Sequence, residues 1–291
     1  MEKKLLVVLV VVGLCSTAAL ALDPMGPPTA GLKQGQFSAG LDYAYSVGDF
    51  KHDGDYTWWI SPPAGPSGTV SEKFGLKDGK MHKAYFNLGY GVMDNVEAFV
   101  RLGGATREIK REAHEGTSGP VDDTLFDSDT GFAIGFGGKA TVWEPSPELK
   151  VGFLAQASWA NVDYSVTYSG ITSGGYDWIV PTEGDISFWE MQFALGATYK
   201  LSDKFSVYGG PFYYIFNGDY DFKGTGVFDP RGDDGGPVDM TLKGSYDVKQ
   251  DSEFGGYLGA QIAVTDNVAW NAECQATGDA IALGTGIVWK F

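Results

Sequence analysis

The chain predicts an all-β fold: a closed, antiparallel, up-and-down barrel of about ten strands, with eight or twelve as alternatives, standing in lipid. Three observations predict it. Ten segments alternate apolar with small or polar residues at period two, near 36–47, 83–92, 95–104, 131–143, 149–160, 188–201, 205–216, 253–264, 268–277 and 280–291. One face of all ten carries no Asp, Glu, Lys or Arg. The connections are lopsided: short turns on one side, long polar stretches on the other.

The apolar face runs strand by strand. It holds Leu41, Tyr43 and Tyr45, then Phe86, Leu88 and Tyr90, then Val100 and Leu102, then Phe132, Ile134 and Phe136. Phe153 and Trp159 follow, then Trp189, Met191, Phe193, Leu195 and Tyr199, then Val207, Tyr213 and Ile215. Phe254, Leu258, Ile262, Val268, Trp270 and Cys274 lead to a last strand of Ile281, Leu283, Thr285, Ile287, Trp289 and Phe291. The opposite face holds Asp42, Lys83, Glu97, Arg101, Lys139, Lys150, Glu190, Lys200, Glu253 and Glu273, which the barrel reading places in the lumen. Glycine is 42 of 291 residues and concentrates on that polar face, at Gly89, Gly91, Gly135, Gly284 and Gly286 among others. Glycine weakens a strand, so this usage points to a narrow, crowded interior.

Turns are expected at Asp94-Asn95, Glu144 to Glu148, Ser202-Asp203-Lys204 and Asp266-Asn267, where short Asx and Ser side chains suit tight geometry. Long loops are expected over 48–82, 105–130, 161–187 and 217–252, the last with room for a hidden hairpin through Leu242 to Val248. They are acidic: 161–187 has four acidic and no basic residues, 217–252 eight against four. Asp122, Asp123, Asp127 and Asp129, and Asp229 with Asp233 and Asp234, are candidate oxygen ligands for Ca²⁺ or Mg²⁺. Their spacing completes no calcium-loop motif, so solvated loop carboxylates are the plainer reading, and no other cofactor is expected.

The first residues read as a signal peptide over 1–21: a charged start at Lys3-Lys4, an apolar run from Leu5 to Leu14, and Ala19-Leu20-Ala21 as the cleavage signal. The run is shorter than the roughly 20 residues that span a bilayer. Residues 22–35, with Pro24, Pro27 and Pro28, read as a linker, and 36–291 as the barrel. Cleavage after Ala21 would leave Cys274 as the sole cysteine, so no disulfide is expected. The net charge of −16 argues against nucleic acid as a partner.

The closing strand, which ends in Trp289 and Phe291, resembles that of bacterial outer-membrane β-barrel proteins, whose terminal aromatic is read by the assembly machinery. The resemblance covers nearly the whole chain after residue 21. It implies residence in the outer membrane, with lipid and the assembly machinery as partners, and with the termini and short turns on the periplasmic side. Barrels of this strand count also resemble the omptin proteases, which need acidic pairs and a His–Asp pair on outer loops. The three histidines here, His52, His82 and His114, do not reproduce that set position by position, and no Gly-x-Ser-x-Gly sequence occurs. The expectation is a non-enzymatic surface or structural barrel, with a narrow porin-like channel, then an outer-membrane protease or lipid-modifying enzyme, as alternatives.

Overall fold

The computed structural model describes residues 22–61, 65, 67–111, 125–171, 177–229, 236–250 and 253–291. They form one antiparallel sheet of β1 (Phe37–Ile60), β2 (Ser67–Met93), β3 (Val96–Arg111), β4 (Leu125–Ser128), β5 (Gly131–Trp143), β6 (Leu149–Ile171), β7 (Asp177–Ser202), β8 (Phe205–Asp229), β9 (Val238–Lys249), β10 (Phe254–Ala263), β11 (Val268–Thr277) and β12 (Ala280–Lys290). The sheet closes on itself. β1 pairs with β12 from Ser38↔Lys290 to Gly48↔Ala280. Paired main-chain bonds between Phe37 and Phe291, 3.1 and 3.0 Å, finish the seam.

Two rings share these strands. At the turn end, ten strands circle in the order β1-β2-β3-β5-β6-β7-β8-β10-β11-β12. Further up, β9 takes the place of β10, β11 and β12. It pairs with β8 from Asn217↔Lys249 and with β1 from Lys51↔Lys249, while β4 continues the position of β5. The upper ring therefore has eight strands.

The ten expected strands are all present, and ten is the count of the lower ring. The long loops are corrected. Most of 48–82, 161–187 and 217–252 is strand, because β1, β2, β6, β7 and β8 run on past the apolar belt and β9 occupies the expected hairpin region.

What changes with height is polarity, not pairing. In β7, Trp189, Phe193 and Leu195 face outward and are exposed, while Glu190 and Gln192 face in and are buried. Above Phe188 the same strand turns Val180, Thr182 and Ile186 inward and Glu183, Asp185 and Ser187 outward. The neighbours do likewise, with Val162 and Val166 of β6, Tyr220 and Phe222 of β8, and Leu242, Tyr246 and Val248 of β9 buried inside. The outward apolar stretch Trp189–Tyr199 is 11 residues, the length that crosses a hydrocarbon layer. Only a closed ring satisfies every strand's backbone in lipid. The lower ring is a closed β-barrel whose outward apolar belt has the height of a hydrocarbon layer. The upper ring is an ordinary water-soluble barrel built on the same strands.

Candidate functional site: the lumen

Residues 22–36 do not lie outside the barrel. They enter the lower lumen, with Leu22, Asp23 and Met25 buried deep in it and Gln36 at the turn-side rim. Wall side chains hold this segment largely by its backbone. Glu273 of β11 accepts from Met25 N at 2.6 Å and Gly26 N at 2.7 Å. Gln275 donates to Asp23 O at 2.7 Å, and Arg101 to Pro24 O at 2.7 Å. Nearer the rim, Thr141 accepts from Ala30 N, Glu97 from Gly31 N, and Lys290 donates to Gly31 O. A proline-rich segment suits this place: it has fewer N–H groups to satisfy and loses less entropy on ordering.

The inward glycines make the room. A Cβ on Gly152 would lie 2.5 Å from Pro28 O, and one on Gly91 would overlap Lys33 O. The Gly-rich polar face is thus the seat of an internal strand of chain.

At the inner end of the plug sits an ionic cluster. Lys83 Nζ is 3.0 Å from Asp23 Oδ1 and 2.5 Å from Glu190 Oε2, with all three side chains buried. Tyr85 donates to Asp23 at 3.2 Å, and Arg101 lies 3.7 Å from Asp42. Gln156, Gln192, Gln275 and Glu273 form a continuous side-chain chain across to β11, which Tyr208 joins at 3.0 Å. In low dielectric each of these groups needs its partners, because an unpaired buried charge costs several kcal/mol.

Of the residues assigned to the lumen from sequence, Asp42, Lys83, Glu97, Arg101, Lys139, Glu190 and Glu273 line it. Three do not join the network. Lys150 bonds Glu144 and Lys200 bonds Asp203, both 2.8 Å, at the turn-side rim in contact with water. Glu253 lies just before β10 and accepts from the outward Tyr213 hydroxyl. Period two assigns a face but not a depth, and near a strand end the inward face meets solvent.

The upper ring is filled differently. Tyr164, Tyr220, Tyr246 and Phe222 stack on one another, with ring centroids 5.0 to 5.9 Å apart. His52 is buried edge-on against Tyr220, 5.8 Å between centroids. An eight-stranded barrel is just wide enough for its own side chains to fill. His82 instead faces outward, bonded to Tyr43 at 2.7 Å, and His114 lies outside the described residues.

The acidic candidates do not converge. Asp122, Asp123, Asp233 and Asp234 lie outside the described residues, as does the side chain of Asp127. Asp129 adjoins Asp163 on one side of the rim, while Asp229 opposes Asp177. Among the described residues no three His, Cys, Asp or Glu side chains come together as a cation site. A different acidic row forms on the outer surface of the upper ring, where Asp163, Asp185 and Asp221 are direct cross-strand neighbours. Burial first, and then the Asp221 and Asp163 charges, raise the Asp185 carboxyl above its ordinary range. Trp289 and Phe291 face outward at the seam, their rings 6.3 Å apart.

Neither a protein-family model nor a curated protein sequence matches the chain. Several solved structures share its general shape. The outer membrane protease OmpT from Escherichia coli aligns at 10% identity over 93% of this chain and 99% of that one, with a TM-score of 0.45. The translocator domain of the autotransporter NalP from Neisseria meningitidis aligns at 11% identity over 100% and 95%, TM-score 0.40. An outer membrane channel from Pseudomonas putida F1 aligns at 12% over 93% and 100%, TM-score 0.37. These likenesses are of fold alone.

Proposed function

We propose that the chain is a non-enzymatic barrel of the bacterial outer membrane, exported by a signal peptide cleaved after Ala21 and held closed by its own N-terminal segment. The observation that carries this reading is the seating of residues 22–36 in the lower lumen, backbone and Asp23 alike bonded to wall side chains. The stacked aromatics of the upper ring add a second seal. The partners are outer-membrane lipid around the belt and the assembly machinery at Trp289 and Phe291. The two described histidines support the non-enzymatic part: one is sealed among tyrosines and the other is bonded on the outer surface of the wall.

Planar-bilayer recording of the full chain tests the plug. The wild type should show no stable open steps. Tyr220→Ala, which opens the upper aromatic stack, should stay closed on the plug, and adding Glu273→Ala, which removes the acceptor for Met25 and Gly26, should produce stable steps. Stable steps from the wild type overturn the plug reading. Cleavage of a peptide library that disappears in His52→Ala would overturn the non-enzymatic one.

A further inference from the structure

Two cations in the lumen, both 2% exposed, are served very differently. Lys83 holds two carboxylates. Arg107 is next but one above it on the wall, opposite Met81 of β2, and its Nε, Nη1 and Nη2 find no acceptor among the described residues. Its guanidinium carbon sits 3.9 Å from the centre of the Phe50 ring. Stacking on a ring uses the face of a guanidinium and leaves its donor edges free for a carboxylate. A buried donor set without an acceptor is costly and asks for an anionic partner.

The inner end of the plug shows the kind of group this part of the lumen takes. Asp23 places a carboxylate on Lys83 Nζ and the Tyr85 hydroxyl, and Leu22 beside it buries an apolar side chain. Phe188 lies under Lys83 Nζ at 5.4 Å and packs on Phe216, which in turn meets Phe50. A run of three phenyl rings therefore lies between the two cations. Glu190 bonds Lys83 through Oε2, and no hydrogen bond joins it to the Arg107 guanidinium.

We propose that the lumen is a binding site for small apolar monocarboxylates, that Lys83, Tyr85 and Arg107 bind the carboxylate, and that Leu22-Asp23 occupies the site as a resident mimic. This deepens the plugged-barrel reading and rests on it. Solute and plug then compete for the lower lumen.

Titration calorimetry on the full chain folded in micelles tests this, with benzoate as the probe and benzamide as its neutral isostere. Asp23→Ala should bind benzoate at least tenfold more tightly than the wild type and discriminate against benzamide. Adding Arg107→Met should weaken benzoate binding about tenfold. Asp23→Asn, which keeps the shape, repeats the test should the alanine variant fail to fold, and heat-dependent gel migration reports folding in each case. Equal affinity for benzoate and benzamide, or no effect of Arg107→Met, overturns the site. Bilayer recording of the same variants, each also carrying Tyr220→Ala to open the upper ring, separates the two readings. A variant that conducts yet ignores benzoate sinks the carboxylate site and leaves the plug. One that neither conducts nor binds sinks both.

Discussion

The lower and upper rings are made from the same strands in one unbroken register, yet they are solvated in opposite senses. Below, apolar side chains meet lipid and charges meet the plug. Above, apolar side chains meet each other and charges meet water. The difference teaches that β-pairing is indifferent to what lies on either face. The pleat supplies two faces, and the medium decides which must be greasy. A strand such as β7 crosses from one regime to the other between Phe188 and Trp189, consecutive residues on opposite faces.

The largest expected break is in the lower lumen. Lys83→Met would leave Asp23 and Glu190 as buried carboxylates without their cation, at a cost of about 3–5 kcal/mol. The exposed pair Lys249–Asp247 of the upper ring has the same chemistry, and its loss should cost no more than about 1 kcal/mol. Urea unfolding of the two variants in lipid vesicles compares them directly.

Next come outward substitutions. Leu195→Arg should cost roughly 2–4 kcal/mol if the site is near the bilayer midplane. Glu183→Arg, outward on the same strand but in the upper ring, should change stability by less than about 0.5 kcal/mol. Equal costs would end the two-solvent account. Truncating inward, Ile186→Ala should lose about 2–5 kcal/mol, whereas Ile287→Ala faces lipid and leaves no protein cavity, so its loss should be clearly smaller.

The smallest effect is one of pH. Folding raises the Asp185 carboxyl, so the fold favours its protonated form. That stabilisation is fully present below the unfolded value and is lost as pH rises through the folded one. Asp185→Asn should therefore raise stability at neutral pH, remove part of the slope through the acid range, and show less effect in high salt. An unchanged slope would show that the acidic row is too well hydrated to matter.

The lower ring was legible in the sequence because Trp189, Met191, Phe193 and Leu195 mark one apolar face of β7, and the inward glycines and lopsided connections tilted that face toward lipid. The upper ring was not. Asp163, Asp185 and Asp221, among many glycines, look like loop residues until the buried Val162, Ile186 and Tyr220 that alternate with them are seen to share one interior. The lumen was half legible. Its wall charges follow from parity, and the excess of inward glycine signalled crowding. What crowds it is a segment whose prolines and scattered Leu22, Met25 and Leu32 carry no period at all. Arg107 fell within an expected loop, so its inward aim depended on knowing that β3 extends that far.

The main-chain bonds between Phe37 and Phe291 have a consequence for biogenesis. The plug runs directly into the first strand, and that strand's partner at the seam is β12, far along the chain. Until this zipper shuts the lower lumen is not enclosed, so the stopper has to be gathered in as that ring forms rather than pushed in afterwards. A proline in place of Gly286, at the middle of that seam, should thus disturb not only insertion but also whether the finished vessel comes out corked.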